Sequence, residues 1–435
     1  MLDGKSFYIH TFGCQMNEND SEHVASLLLA EGAVRSDSPD KSDFILVNTC
    51  AVREKSVEKL FSYLGRLKKQ KETRSAVVAC LGCVAQLYRD KLLKKFPHLD
   101  LVIGPPQYEA IPELLRNSVT EKAVRTAWRK NWVELPILPE ARESSVSAYV
   151  TIMEGCNNFC TFCVVPFTRG REKYRPLRAI MEEVRELAGR GYLEIHFLGQ
   201  NVNSYRDPET GASLVELLEK ASRVEGLRWI RFLTSHPKNF TSDMARAMAS
   251  LDKVCHQLHL PLQSGSNRIL QLMNRNYTRE DYLEKIDLLK SLMPDLSLST
   301  DIIVGFPTET EEDFEQTMDM LERIKFANIF SFRYSPRPYS AASRMKDDVP
   351  EEIKIDRLMR LQKRQKEIQL ELNRQFVGRK IKVLCLGQSK KGQLYQGRNE
   401  GYQVVNFKSP VDCRGQLVDV LVTDCGPYSL HGEIS

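Results

Sequence analysis

Residues 148–163, AYVTIMEGCNNFCTFC, decide the fold. An apolar alternating run closes at Met153 and opens at once into a loop that carries Cys156, Cys160 and Cys163. Reactive side chains placed directly after a strand mark a parallel α/β array, where ligands gather at the C-terminal strand ends. Downstream, five more strand-like runs follow: LEIHFLG, WIRFLTS, HQLHLP, LSLSTDIIVG and NIFSFRYS. Helical patterns such as PLRAIMEEVRELAGRG and REDYLEKIDLLKSLM separate them, so six βα units predict a partial (β/α)6 barrel. Its strand ends read GCNNFCTFC, GQN, SHP, PLQSGS, GFPTET and SPRP.

Upstream, residues 1 to about 121 alternate strand runs (SFYIHT, DFILVN, SAVVAC, DLVIG) with two amphipathic helices, a small parallel α/β unit. The first helix is predicted after Asp20, with Val24, Leu27 and Leu28 on one face, ending at Gly32. The second carries Val57, Leu60, Phe61, Leu64 and Leu67. The stretch WRKNWVELPILPEARESS has neither period and sets the first domain boundary. Beyond the barrel, the charged helix EEIKIDRLMRLQKRQKEIQLELNRQF leads to five short runs, IKVLCLG, LYQGR, YQVVNF, QLVDVLVT and SLHGEI, read as a small antiparallel barrel. The fold class is thus α/β, with a small β-barrel at the C-terminus.

A chain of 435 residues exceeds one hydrophobic core, so two or three domains are expected. At 42% hydrophobic and 27% charged it is an ordinary globular composition, and the net charge of +5 permits an anionic partner without identifying one. Neither a signal peptide nor a membrane span can be drawn, which predicts a cytoplasmic protein. Eleven cysteines in a reducing compartment point away from disulfides and toward metal or redox chemistry.

In CxxxCxxC, Cys156, Cys160 and Cys163 can bind three irons of a cubane cluster and leave the fourth open, as S-adenosylmethionine (SAM) chelation requires. Structural zinc would need a fourth nearby ligand, which is missing. Cys14, Cys50 and Cys83 each fall at the end of a strand and converge on one sheet edge. Cys80 and Cys83 also form a CxxC, so a redox pair rivals a metal trio, and cysteines at strand ends also simply pack. Cys80 itself reads as an inward-facing core residue, and packing is the default for Cys255, Cys385, Cys413 and Cys425.

At TFGCQMN, NTCAVREKS, GCVAQ and GCNNFCTFCVVPFTRGRE the sequence resembles the methylthiotransferase family of radical-SAM enzymes over nearly its whole length. The resemblance implies a cluster-bearing domain at 5–121, a radical-SAM core at 142–372 and a TRAM domain at 375–435. It implies two 4Fe-4S clusters, an auxiliary one on Cys14, Cys50 and Cys83 and a SAM-binding one on Cys156, Cys160 and Cys163, with Cys80 outside the pattern. TFGCQMNEND and CVVPFTRGRE resemble the tRNA-modifying branch, where the protein-modifying branch reads more like SLGCPKN. The implied reaction places a methylthio group on carbon 2 of N6-isopentenyladenosine at position 37 of tRNA. One SAM would give the methyl group and a second the 5′-deoxyadenosyl radical, with a low-potential electron donor and a sulfur source as further partners and a monomer as the working unit. The competing readings are methylthiolation of a ribosomal-protein side chain and a non-catalytic iron-sulfur carrier or RNA-binding protein.

SAM contacts are expected from polar groups at the barrel mouth: Gln200, Asn201, Ser235, His236, Gln263, Ser264 and Asp301. His236 fits a purely structural hydrogen bond equally well. For RNA, the tail offers Lys380, Lys382, Lys390, Lys391, Arg398, Lys408 and Arg414 among Tyr395, Tyr402 and Phe407, and Arg169, Arg171 and Arg175 could approach phosphate. The target base would be flipped toward the barrel mouth.

Overall fold

The computed structural model describes residues 2–435 apart from 53, 74, 119, 120, 390, 391 and 393. Six parallel strands build the N-terminal domain: β1 Ser6–Phe12, β2 Val34–Arg35, β3 Phe44–Thr49, β4 Val77–Leu81, β5 Leu101–Ile103 and β6 Ala123–Arg125. Their order is β2-β1-β3-β4-β5-β6. Every residue of β3 is buried, as expected of a central strand with helices on both faces. The four runs read from the sequence are strands. The edge strands β2 and β6 are two and three residues long, too short to leave a period.

The helices are α1 Gln15–Ala30, α2 Glu54–Thr73, α3 Gly82–Tyr88, α4 Asp90–Lys95 and α5 Ile111–Asn117. Contrary to the expected start after Asp20, α1 begins directly after Cys14. Asn17, Asn19, Asp20, Ser21 and Glu22, polar enough to read as an entry loop, are buried: Asn17 and Ser21 bond to Asn48 of β3, while the next domain covers Asn19, Asp20 and Glu22. There Thr151 donates to Asn19 Oδ1 at 2.6 Å, and Arg142 lies 3.6 Å from Glu22. The aperiodic segment between the domains is fastened down, with Leu135, Ile137 and Leu138 against the first core and the Leu138 N–H on Ser26 Oγ at 2.8 Å.

The second domain opens with β7 Ser147–Thr151, then a two-stranded hairpin, β8 Met153–Glu154 and β9 Lys173–Tyr174, which frames the CxxxCxxC loop and the short helix α6 Val165–Thr168. Four parallel strands follow to the fold's midpoint and beyond: β10 Glu194–Leu198, β11 Trp229–Phe232, β12 Gln257–His259 and β13 Ser297–Val304, with β14 Asn328–Arg333 closing the set. Between them run α7 Leu177–Gly189, α8 Leu214–Ser222, α9 Ser242–Ser250, α10 Asn267–Leu272, α11 Arg279–Leu292 and α12 Glu311–Ile324. The sheet runs β7-β10-β11 and β12-β13-β14, its halves meeting at the bridge Ile230 to Val254, which gives the expected open barrel. Strict alternation in β13 sends Leu298, Thr300, Ile302 and Val304 outward to the helices and leaves Ser299, Asp301 and Ile303 on the inner face.

The long helix α13 Glu351–Arg374 is a strut to the last domain: Arg357 pairs with Glu309 at 2.9 Å near one end, and Asn373 donates to the Gly426 carbonyl at 2.8 Å near the other. Five strands, β15 Lys380–Gln388, β16 Tyr395–Asn399, β17 Val404–Lys408, β18 Leu417–Cys425 and β19 Leu430–Ile434, close a barrel in the order β15-β16-β17-β19-β18. An odd number of strands cannot alternate direction around a closed ring, so one neighbouring pair runs parallel. That pair is β17 with β19, and the rest are antiparallel as expected.

Candidate functional site

Because β1, β3 and β4 are neighbours in the sheet, their C-terminal ends bring Cys14, Cys50 and Cys83 together. Cys14 caps α1, Cys50 follows β3, and Cys83 is the second residue of α3. The tight passage from β4 to α3 depends on Gly82, whose φ is +88° and whose added Cβ would lie 2.3 Å from Asn48 Oδ1. The neighbouring Cys50 thiol, with lesser help from backbone N–H groups and Arg169, outweighs burial and holds Cys14 down to about 6. Its partner is pushed up, and burial pushes Cys83 up as well. Cys80 sits mid-strand in the apolar cluster with Val47, Val78 and Val102, where burial drives its thiol up to about 12.

The second trio hangs in the loop between β8 and β9. Gly155 starts it at φ +82°, with a Cβ position 2.1 Å from the Arg171 carbonyl, so a side chain there would collide with backbone. Cys163 Sγ accepts the Val165 N–H at 3.4 Å, and Cys156 Sγ accepts from Asn158 at 3.6 Å. Cys160 Sγ accepts from Arg275 Nη1 at 3.2 Å and lies 3.9 Å from His236 Nε2. Burial pushes up the thiols of Cys156 and Cys163, and the neighbouring Cys160 adds to it. Among the described residues, no three His, Cys, Asp or Glu side chains close around a single metal ion. In a cubane each thiol holds a different iron, so its trio stands wider than the ligand set of one ion.

Two observations fit a cluster and a polar cofactor to these residues. Arg275 is 3% exposed and bonds to the Pro261 carbonyl, the Tyr277 hydroxyl and Cys160 Sγ, and among the described residues no carboxylate pairs with it. A buried cation of this kind calls for a negative group, which cluster-bound thiolates supply. At the ends of β10 and β11, Asn201 Oδ1 and Ser235 Oγ are buried without a hydrogen-bond partner among the described residues, at positions expected to contact SAM.

The other expected contacts are distributed around the same mouth. Gln200 accepts the Gly155 N–H at 2.5 Å, which ties the end of β10 to the cysteine loop. His236 is fixed by Asn203, which receives its N–H at 3.0 Å and donates to its carbonyl at 2.9 Å; burial, with Arg275 and Lys238 adding to it, holds the imidazole neutral with a pKa near about 2. Gln263, at φ +73°, and the buried Ser264 follow β12 beside the Pro261 and Leu262 carbonyls that Tyr277 binds. Asp301 lies deeper on the inner face, 3.5 Å from His259 Nε2. Sequence reading missed Arg275 and Tyr277, which follow α10 in NRNY with no motif to distinguish them.

The arginines after the second trio depart from expectation. Arg169 is 3% exposed: it forms a two-pronged ion pair with Asp20 of α1 and donates Nε–H to Cys83 Sγ at 3.3 Å. Arg175 is buried between Glu134 and Glu183. Neither is open to phosphate, because both are spent on carboxylates, whereas Arg171 is exposed and lies over the Phe159 ring at 4.3 Å. In the tail, Phe407 fills the barrel core, and Tyr402 is held between His196, Arg231 and Arg398, so neither ring is free to stack on a base. Lys380, Lys382, Lys408 and Arg414 are exposed, Arg398 and Tyr395 half-buried, and Lys390 and Lys391 lie outside the described residues.

Family models match three parts of the chain: Uncharacterized protein family UPF0004 over residues 6–104, the Radical SAM superfamily over 150–321 and the TRAM domain over 374–435. The protein named tRNA-2-methylthio-N(6)-dimethylallyladenosine synthase in Acetivibrio thermocellus is 43% identical over 99% of this chain and 91% of its own. The one of the same name in Thermotoga petrophila is 44% identical over 98% and 96%. Among solved structures, a radical S-adenosylmethionine methyltransferase from Kitasatospora setae, bound to cobalamin and a 4Fe-4S cluster, covers 78% of this chain and 77% of its own with a TM-score of 0.57. At 15% identity that likeness concerns the fold alone. With relatives of this identity across its full length, the chain belongs to the methylthiotransferase family of radical-SAM enzymes.

Proposed function

We propose that this protein adds a methylthio group to carbon 2 of N6-isopentenyladenosine at position 37 of tRNA. The observation that carries the reading is the meeting of two cysteine trios, each at the C-terminal strand ends of its own α/β domain, with Arg169 running from the loop of one to a thiol of the other. Cys156, Cys160 and Cys163 would hold the SAM-binding cluster, and Cys14, Cys50 and Cys83 the auxiliary cluster. When bound, these groups supply a hydrogen-abstracting 5′-deoxyadenosyl radical from one SAM, a sulfur donor, and a methyl group from a second SAM.

The chain's own residues bind and orient. Asn201 and Ser235 offer their unpartnered oxygens to polar groups of SAM, and Arg275 balances the charge of the Cys160 thiolate. Gln200 fixes the backbone at Gly155, and Gln263, Ser264 and Asp301 continue the polar lining around the mouth. Phe159, Phe167 and Tyr339 are exposed beside the second trio, Phe167 and Tyr339 with ring centroids 6.0 Å apart. Exposed rings near a reaction centre suit stacking on unpaired bases, and a loop nucleotide is cheap to unstack. The exposed cations of the TRAM barrel suit the RNA backbone. Work on tRNA places the protein in the cytoplasm, with a low-potential electron donor and a sulfur source as partners.

The test is anaerobic turnover of the iron- and sulfide-reconstituted protein with SAM, a reductant and tRNA bearing N6-isopentenyladenosine, read by nucleoside mass spectrometry. The 2-methylthio nucleoside should appear, and Cys14→Ala, Cys50→Ala and Cys83→Ala should each abolish it. Release of 5′-deoxyadenosine with unchanged tRNA would overturn the substrate assignment and point to a protein side chain.

A further inference from the structure

Each cysteine trio has one buried arginine donating to one of its sulfurs, Arg169 to Cys83 and Arg275 to Cys160, but the two differ in how their charge is balanced. Arg275 has neutral oxygens and the thiol as partners. Arg169 is neutralised by Asp20, which sits on α1 within two turns of Cys14 and also accepts from the Tyr108 hydroxyl at 3.5 Å. Arg169 is carried by the barrel domain, at the end of the short helix that follows Cys163, whereas Asp20 and Cys83 belong to the N-terminal domain. Val164, next to Cys163, packs in the same apolar cluster as Cys83.

We propose that Arg169 is a positioning residue that reaches across the domain boundary to set the reduction potential of the auxiliary cluster, with Asp20 as the counter-charge that limits its effect. The inference rests on Cys83 being a ligand of that cluster, as the proposed function has it. A hydrogen bond to a ligating sulfur, and positive charge near the cluster, both favour the reduced and more negative state, and so raise the potential. The planar guanidinium does both at once: Nε–H reaches the sulfur while the two terminal nitrogens grip the carboxylate. The same contact holds the loop of the second trio at a fixed distance from the first.

The substitutions should move the potential in opposite directions, which a merely structural role would not do. In full-length protein carrying Cys156→Ala, Cys160→Ala and Cys163→Ala, only the auxiliary cluster remains to be titrated by electron paramagnetic resonance. Arg169→Met with Asp20→Asn removes the donor without stranding a buried charge, and the midpoint should shift negative. Asp20→Asn alone leaves the cation unneutralised, and the midpoint should shift positive. With the second trio intact, the double variant should still release 5′-deoxyadenosine while forming at least tenfold less methylthio product for each cleavage. An intact auxiliary cluster whose potential is the same in all three proteins overturns the inference and leaves the ligand assignment standing. A background protein that binds no iron overturns both.

Discussion

A buried guanidinium that, like Arg275, has no carboxylate partner among the described residues costs several kcal/mol unless another negative group joins it, and the thiolates of the second trio are the group at hand. Arg275→Met should therefore lower SAM cleavage about 10- to 100-fold, the usual cost of removing a partner of a metal-bound ligand. It should also cut the bound iron toward half, measured on anaerobically reconstituted protein. Unchanged iron and cleavage would show that Arg275 serves packing alone. The neighbouring pair Cys80 and Cys83 gives a sharper contrast. Cys80→Ala should keep its full iron content at a cost of about 1 kcal/mol in stability, while Cys83→Ala should lose the auxiliary cluster. Full iron content in both variants would restore the redox-pair reading. The cysteines could be singled out in the sequence because strand ends announce them. Arg275 and Arg169 could not, since their importance lies in partners 115 and 86 residues away in the chain.

At the level of elements, each trio depends on a glycine immediately before its first or last cysteine. Gly82 adopts a φ of +88° and has no room for a Cβ beside Asn48 and the Thr49 backbone. Gly82→Ala should cost about 1–3 kcal/mol of backbone strain and displace Cys83, seen as a lowered Tm and loss of the auxiliary cluster with SAM cleavage retained. A variant with normal Tm and full iron would show that the turn tolerates a side chain. Long strands and helices with a clear period were legible in the sequence, which is why the six barrel strands and α13 appear where they were read. The start of α1 was not, because its first two turns carry polar residues that are buried on both sides, Asn17 and Ser21 on Asn48 of the sheet and Asn19 and Asp20 on the neighbouring domain. Periodicity records burial against a helix's own sheet, and here burial comes from two sides.

Across the whole molecule, the TRAM barrel is fastened to the radical-SAM sheet through Arg231, which donates to the carbonyls of Asn399 and Glu400 and pairs with Glu194 at 2.6 Å. Burial alone would raise the Glu194 pKa, but the imidazole of His196 and the guanidinium of Arg231 outweigh it and hold the carboxyl at about 2. Because the folded value is depressed below the unfolded one, this group's contribution is present above pH about 4.5 and lost as the pH falls toward about 2. It amounts to roughly 3 kcal/mol. Glu194→Gln should flatten the stability profile over that range, followed by denaturant titration at each pH; an unchanged acid limb would assign it to other carboxylates. The domain series was legible from the order of patterned segments, but the joints were not: Tyr402 and Phe407, read as bases' stacking partners, prove to be an interdomain wedge and a core residue. The central claim, that the two trios serve one reaction at carbon 2 of a tRNA adenosine, is tested most directly with tRNA carrying deuterium at that carbon. Mass spectrometry of the released 5′-deoxyadenosine should find the deuterium there, in step with the methylthio nucleoside formed. Deuterium that stays wholly on the tRNA while 5′-deoxyadenosine accumulates would contradict the account.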